Sequence, residues 1–231
     1  MVNRPGGELS TRPIHFIWIA DCSSSMAGDK IASLNTAIRE AIPHMQKVAT
    51  ENPNAEVLVR AVKFSSGAQW HISQPTKVDQ FQWQDLHVDG STSMGQAMKL
   101  VADQLKIPPM TDRALPPVLV LITDGQPTDD FKSGLQALMN EPWGKKAVRI
   151  GIAIGGDADE KVLQDFMGNP ELKPLRANNS DTLVHYIKWV STAVLKAASA
   201  PPSQVNQSSN ASNVPIPQPQ STLNISTADV W

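Results

Sequence analysis

The sequence predicts an α/β protein: a doubly wound, mostly parallel sheet with an antiparallel edge strand and helices on both faces. The first observation is that apolar runs typical of buried strands alternate with stretches whose apolar residues recur at helical spacing, as in βαβ units. The second is the size and composition, since 231 residues with 41% hydrophobic side chains suit one domain with a substantial core.

The first half of the chain is expected to contain a strand, a helix, two strands joined by a tight turn, a short half-exposed strand and a further helix. These are predicted at 14–20, from residue 29 onward, at 57–64, 69–72, within 74–90 and at 91–105. Asp29 is the expected cap of the first helix. Pro43 is expected to kink that helix or to end its first section.

The second half continues as strand, helix, strand, small helix, short strand and closing helix. These are predicted at 118–122, 131–139, 147–154, 159–167, 175–176 and 181–198. The domain is therefore expected to span 14–198, after an N-terminal extension at 1–13. Residues 199–231 are rich in Pro, Ser, Asn and Gln and contain no Lys or Arg, which predicts a low-complexity tail that does not order itself alone.

Charge and composition exclude several classes of protein. A net charge of -2 with no basic stripe gives no support to nucleic-acid binding. A single cysteine, Cys22, excludes an internal disulfide and an all-cysteine zinc site within one chain. The N-terminal residues lack the apolar core of a signal peptide, and no stretch is long and apolar enough to span a bilayer. We therefore expect a cytoplasmic protein that does not bind membranes.

Three distant segments carry oxygen ligands: 21–25, 90–93 and 123–129. Asp21 and Asp124 each follow a predicted buried strand, and in a sheet of order 3-2-1-4-5-6 these two strands are neighbours. Both carboxylates are thus expected at one crevice, with Thr92 arriving from an intervening loop. Carboxylates and hydroxyls without a His or Cys pair favour Mg²⁺, which usually takes an outside ligand. An acidic residue of a protein partner would suit that position.

The pattern Asp21-x-Ser23-x-Ser25 with Thr92 and Asp124 resembles the metal-ion-dependent adhesion site of von Willebrand factor A domains. The resemblance implies that a Mg²⁺ or Mn²⁺ ion is bound directly, or nearly so, by the three hydroxyls and often through water by the two acids. It also implies a non-enzymatic protein-binding module. The chain departs from the family at Ser24, where glycine is common.

Two longer stretches, 121–129 and 90–95, are similar to bacterial tellurium-resistance proteins of the TerY/YegL type. This resemblance implies a scaffold or adaptor in a bacterial stress-signalling system. The implied partners are a metal-dependent protein phosphatase of the PP2C type and a protein kinase.

Two other classes of protein remain open. One is a Mg²⁺-dependent phosphotransferase or phosphatase with Asp21 as nucleophile, although such enzymes need a second acid two residues further on, where this chain has Ser23. The other is a structural subunit that needs no metal.

Asp129 and Asp130 are interpreted as caps of the helix at Phe131 rather than as ligands.

The tail ends in a segment, 221–231, that carries the apolar residues Leu223, Ile225, Val230 and Trp231. A polar tether that ends in apolar side chains resembles a short recognition segment. We expect it to bind a partner enzyme, with Trp231 in a pocket, or to fold back so that Asp229 or the terminal carboxylate reaches the metal.

Overall fold

The computed structural model describes residues 11–200, 214–219 and 231. Its centre is a six-stranded sheet of order β3-β2-β1-β4-β5-β6 in which only β2 and β3 pair antiparallel. The predicted fold class and strand order are confirmed. The strands are β1 (Arg12–Asp21), β2 (Ala55–Phe64), β3 (Ala68–Lys77), β4 (Val118–Thr123), β5 (Val148–Ile154) and β6 (Leu175–Ala177).

Helices cover the sheet in two groups: α1 packs against α6 and the turns that follow it, and α2 packs against α3. A single 3₁₀ turn, Ser24–Met26, precedes α1, and a π-helical stretch, Val190–Val194, joins α6 to α7. No helix among the described residues combines the length and apolarity needed to cross a membrane. The helices are α1 (Asp29–Glu51), α2 (Met94–Ala102), α3 (Phe131–Asn140), α4 (Pro142–Lys146), α5 (Glu160–Met167), α6 (Ser180–Trp189) and α7 (Leu195–Ala198).

The central strands are buried on both faces. Every residue of β4 and β5 is buried, as expected for parallel strands covered by helices on each side. In β1, Phe16 and Trp18 are fully buried and their rings meet edge to face, with centroids 4.7 Å apart. Because β1 and β4 pair in parallel, with Ala20 opposite Ile122, both strands end at the same edge of the sheet.

The first helix differs from its prediction at two positions. Its N-cap is Gly28, with φ 78°, so Asp29 is the first helical residue rather than the cap. The helix also continues through Pro43 to Glu51. Pro43 is exposed, and the buried residues Ile38 and Met45 flank it on the inner face. Packing on both sides of the proline therefore holds together a helix that local sequence alone would interrupt.

The expected short strand within 74–90 is absent from the described residues. Instead, β3 extends to Lys77, and residues 81–89 form no regular structure. Phe81 and Leu86 are buried, so the alternation of apolar and polar residues reflects burial against the domain rather than strand pairing. The helix predicted from residue 91 begins later, at Met94.

A short stretch of the tail, residues 214–219, lies against the domain. Val214 and Ile216 pack on the core, and Pro217 lines a cavity together with Trp189 and Thr192 of the closing helix. The sequence predicts a tail that does not order itself alone, and in the structure the apolar side chains of this stretch contact the domain. The recognition segment predicted at 221–231 falls outside the described residues except for Trp231.

The environment of His15 is expected to make the folded protein less stable in acid. Burial, with a smaller effect from the Arg60 charge, lowers the pKa of His15 from 6.5 to about 4. The unfolded chain takes up a proton at His15 near pH 6.5 and the folded chain does so only near pH 4, so stability falls as the pH falls through that range. Between pH 7 and pH 4.5, the free energy of unfolding should fall in both proteins. We expect the fall to be roughly 1–2 kcal/mol smaller in His15→Gln than in wild type.

Urea denaturation at the two pH values measures this difference. The exposed His87, replaced in the same way, is the matched control and should reproduce the wild-type pH dependence. An equal loss of stability in His15→Gln and wild type would contradict the prediction.

A candidate metal centre at the ends of two central strands

The two predicted acids lie at the same edge of the sheet. Asp21 is the last residue of β1, and Asp124 directly follows β4, the neighbouring strand. Their residues are 0% and 1% exposed. Two carboxylates removed from water in this way require hydrogen bonds or cations nearby.

Hydroxyl groups connect the two carboxylates. The Ser25 hydroxyl donates to Asp124 Oδ1 at 2.8 Å, and it lies 3.0 Å from the Ser23 hydroxyl. The Ser23 backbone N–H donates to Asp21 Oδ1 at 2.8 Å. The structure thus brings together four of the five predicted ligands in one hydrogen-bonded cluster.

Thr123 is a member of this cluster that the sequence analysis missed. Its hydroxyl donates to Asp21 Oδ2 at 2.5 Å, so both oxygens of Asp21 accept hydrogen bonds from the protein. Burial raises the pKa of Asp21, and the hydrogen bonds from Thr123 and Ser23 oppose that change. The available signal was that Thr123 immediately precedes Asp124 at a strand end.

The fifth predicted ligand, Thr92, lies on a segment tied to both other loops. The Thr92 N–H donates to the Thr128 hydroxyl at 3.1 Å, and the Thr128 N–H donates to Thr92 O at 2.9 Å. On the other side, the Ser24 N–H donates to Gly90 O at 3.0 Å. Thr92 is 7% exposed. Its backbone is therefore fixed between the segments that carry Asp21 and Asp124.

Ser24, which replaces the glycine common in the family, makes a hydrogen bond that glycine could not make. Its hydroxyl donates to Gly90 O at 3.1 Å, beside the bond from its own N–H to the same oxygen. A glycine at this position would make only the backbone bond. The serine therefore adds a second link between the loop after β1 and the loop that carries Thr92.

Asp129 and Asp130 cap two different helices. Asp130 accepts from Ser133 N at 3.0 Å and caps α3, as predicted. Asp129 instead accepts from Gly95 N and Gln96 N, both at 2.8 Å, at the start of α2. The assignment of Asp129 to α3 was wrong, because sequence distance gave no indication that the start of α2 lies beside this loop.

A lysine that the sequence analysis did not consider also reaches the cluster. Lys30 Nζ lies 2.7 Å from Asp124 Oδ2, with the two side chains 17% and 0% exposed. The ammonium group thus places a positive charge next to Asp124, one of the predicted metal ligands. Its presence shows that the crevice accommodates a positive charge.

The ligands offered by this crevice are hard oxygens. Among the described residues, no group of three or more His, Cys, Asp or Glu side chains is placed to hold a metal ion. The neighbouring Cys22 is buried, and burial raises its pKa to about 12, so its thiol stays protonated. Two carboxylates with serine and threonine hydroxyls fit Mg²⁺ or Mn²⁺ better than a soft metal.

Trp231 lies beside the same crevice. A Cβ built on Gly155, at the end of β5, would be 3.5 Å from Trp231 Cβ and 3.8 Å from Lys30 Cε. Trp231 is half-buried and packs on the core. Asp229 lies outside the described residues, and a role of Asp229 and Trp231 in partner binding stays a prediction.

The chain belongs to the von Willebrand factor type A domain family, because the profile of that family matches residues 17–187. A search among curated proteins found no match. The finer similarity to tellurium-resistance proteins has no support from a named relative.

Solved structures confirm the fold at low sequence identity. The ArnB paralog VWA2 from Sulfolobus acidocaldarius is 17% identical with a TM-score of 0.58, over 78% of this chain and 45% of that one. Proximal thread matrix protein 1 from the mussel byssus, with a zinc-occupied MIDAS motif, is 16% identical with a TM-score of 0.59, over 79% and 48%. The pilus adhesin SpaC from Lactobacillus rhamnosus GG, in an open conformation, is 16% identical with a TM-score of 0.62, over 78% and 30%. The chain spans less than half the length of these proteins.

Proposed function

We propose that the protein is a non-enzymatic binding module that uses a Mg²⁺ or Mn²⁺ ion to bind an acidic residue of a protein partner. The observation that carries this proposal is the cluster of Asp21, Ser23, Ser25 and Asp124, joined by hydrogen bonds at the edge where β1 and β4 end. A metal-occupied site in the mussel protein and the adhesive role of the pilus protein support it by analogy.

The chemistry of the cluster favours a carboxylate as the outside ligand. The hydroxyls of Ser23, Ser25 and Thr92 are neutral, and the family resemblance places the two carboxylates behind water, so the direct protein ligands would leave a divalent ion electron-poor. When bound, the ion would supply a Lewis-acidic coordination position that a partner carboxylate can fill. The module would then bind its partner only when the ion is present.

A phosphotransferase reaction at Asp21 is disfavoured by the same contacts. Both oxygens of Asp21 accept hydrogen bonds, from Ser23 N and Thr123 Oγ1, and Asp21 is 0% exposed, so a phosphoryl group has no open approach to either oxygen. The residue two positions further on is Ser23, which cannot replace the missing acid. Binding is therefore the function that the geometry supports best.

We further propose a cytoplasmic scaffold or adaptor role in a bacterial stress-signalling system, with a PP2C-type phosphatase and a protein kinase as partners. This finer proposal rests on the similarity of residues 90–95 and 121–129 to tellurium-resistance proteins. It can fail while the metal-dependent binding stands.

Calorimetric titration with Mn²⁺ tests the metal site. We expect wild type to bind one ion, and Ser25→Ala and Thr92→Val each to weaken binding by about 10- to 100-fold, because each removes one oxygen ligand. Asp129→Asn is the matched control, since Asp129 lies on the same loop as Asp124 but bonds to the start of α2. Equal affinity in all four proteins would show that the ion does not bind in this crevice.

Partner capture from the native cell, in Mg²⁺ and again in EDTA, tests the binding function. Partners that depend on the ion and are lost in Ser25→Ala support the proposal, and their identities test the kinase and phosphatase assignment. Partners retained in EDTA by both proteins would place the interface elsewhere.

A further inference from the structure

Lys30 occupies an unusual place for a basic residue. It is the second residue of α1, where the partial positive charge of the helix terminus repels a cation. The side chain is only 17% exposed and has a favourable partner. That partner is Asp124, whose Oδ2 lies 2.7 Å from Lys30 Nζ.

The two oxygens of Asp124 are both in use. Oδ1 accepts from the Ser25 hydroxyl at 2.8 Å and Oδ2 accepts from Lys30. A buried carboxylate with one hydroxyl and one ammonium partner is neutralised without any metal ion. Asp124 therefore has a built-in counter-charge in the crevice.

A divalent ion in the same cluster competes with that counter-charge. The ion needs Asp124 as a ligand or as an acceptor for a bound water, and a second cation in contact with the same carboxylate would repel it. Low exposure of the crevice leaves little water to screen this repulsion. Lys30 and the ion thus exclude each other at Asp124.

The side chain of Lys30 can reach water. It is long and flexible and is 17% exposed, with its Cε 3.8 Å from where a Cβ on Gly155 would stand, beside Trp231. Rotation about the side-chain bonds can carry the ammonium to water without moving α1. The exchange therefore requires a rotamer change rather than a rearrangement of the fold.

We propose that Lys30 is a tethered cation that neutralises Asp124 in the metal-free protein and must leave it for a divalent ion to bind. Metal loading is then the exchange of one cation for another, and Lys30 sets the metal affinity. This proposal rests on the metal site of the proposed function and goes beyond it, since it concerns what the ion has to displace.

Titration of Lys30→Met with Mn²⁺ tests the exchange. We expect the variant to bind the ion at least tenfold more tightly than wild type, because no ammonium has to be displaced. Lys30→Arg, which keeps the charge, should stay near wild-type affinity. The matched control is Lys47→Met, an exposed lysine of the same helix that removes the same charge far from the crevice; its affinity should not change.

The outcomes separate this proposal from the one on which it rests. Wild-type binding with no gain in Lys30→Met would overturn the exchange and leave the metal site intact. No Mn²⁺ binding by either folded protein would overturn both.

A second measurement needs no variant. Amine-reactive labelling of the wild-type chain, analysed by mass spectrometry, should modify Lys30 several-fold faster at saturating Mn²⁺ than in EDTA, while Lys47 is modified equally in both. Unchanged labelling of Lys30 in a protein that binds Mn²⁺ would also overturn the proposal.

Discussion

Replacing Asn35 with leucine is expected to lower the free energy of unfolding by about 3–5 kcal/mol, because three polar groups lose their partner. Asn35 lies in α1 and is 5% exposed. Its Nδ2 donates to Leu86 O at 3.1 Å, and its Oδ1 accepts from Leu86 N at 2.8 Å and from Trp83 Nε1 at 3.0 Å. Leu86 is buried, so water does not easily replace the lost bonds.

The same substitution should weaken metal binding in the protein that remains folded. Residues 81–89 form no regular structure, and Asn35 supplies two of the bonds that hold their backbone. This stretch leads directly into Thr92. A looser loop would place Thr92 less accurately, and we expect a several-fold lower Mn²⁺ affinity.

Urea denaturation and Mn²⁺ titration of Asn35→Leu measure the two effects. Glu40→Leu is the control, because it introduces the same side chain at an exposed position of α1 and should change stability by less than about 0.5 kcal/mol. A loss below about 1 kcal/mol in Asn35→Leu would mean that the three groups find other partners.

Replacing Gly134 with alanine is the second substitution with a large expected effect. A Cβ at Gly134 would lie 2.3 Å from Gly95 O and 2.7 Å from Gly95 Cα, so the backbones of α2 and α3 are in direct contact. Alanine gains about 1 kcal/mol of helix propensity over glycine. Overpacking against backbone that cannot rotate away costs about 3 kcal/mol or more. We therefore expect a net loss of roughly 2 kcal/mol.

Thermal and urea unfolding of Gly134→Ala measure this loss. Gly156→Ala is the matched control: a Cβ there meets no atom within 4 Å, and its φ is not in the positive range. That variant should be neutral or slightly more stable, because alanine restricts the unfolded chain. Two variants of equal stability would show that α2 and α3 separate at little cost.

The sheet and the acids at its edge could be predicted because the relevant signals are local or follow from general rules. Each buried strand is a continuous apolar run, and Asp21 and Asp124 stand where two such runs end. The strand order of doubly wound sheets then brings both ends to one crevice. The bounds of β4 and β5 agree with their predictions to within one residue.

What the sequence did not predict depends on contacts between distant segments. Lys30 lies nine positions from Asp21, but its partner is Asp124, in the loop that follows β4. The stretch around Leu86 alternates like a strand, yet its backbone bonds go to a side chain, Asn35, instead of to a neighbouring strand. Asp129 shows the same limit, since the helix that it caps begins 35 positions earlier in the chain, at Met94.

The residues of the cluster lie far apart in the sequence, so only the folded domain brings them together. Binding of the proposed metal ion should therefore depend on complete folding. Asp21 ends β1 and Asp124 follows β4, and in the folded protein the Thr92 loop is hydrogen-bonded to the loops after both strands. On the proposed function, a chain in which β1 and β4 have not paired would lack the assembled ligands for the ion and for a partner bound through it. Ligand added during refolding should consequently stabilise only the finished domain, so that recruitment itself reports that the chain has reached its native state.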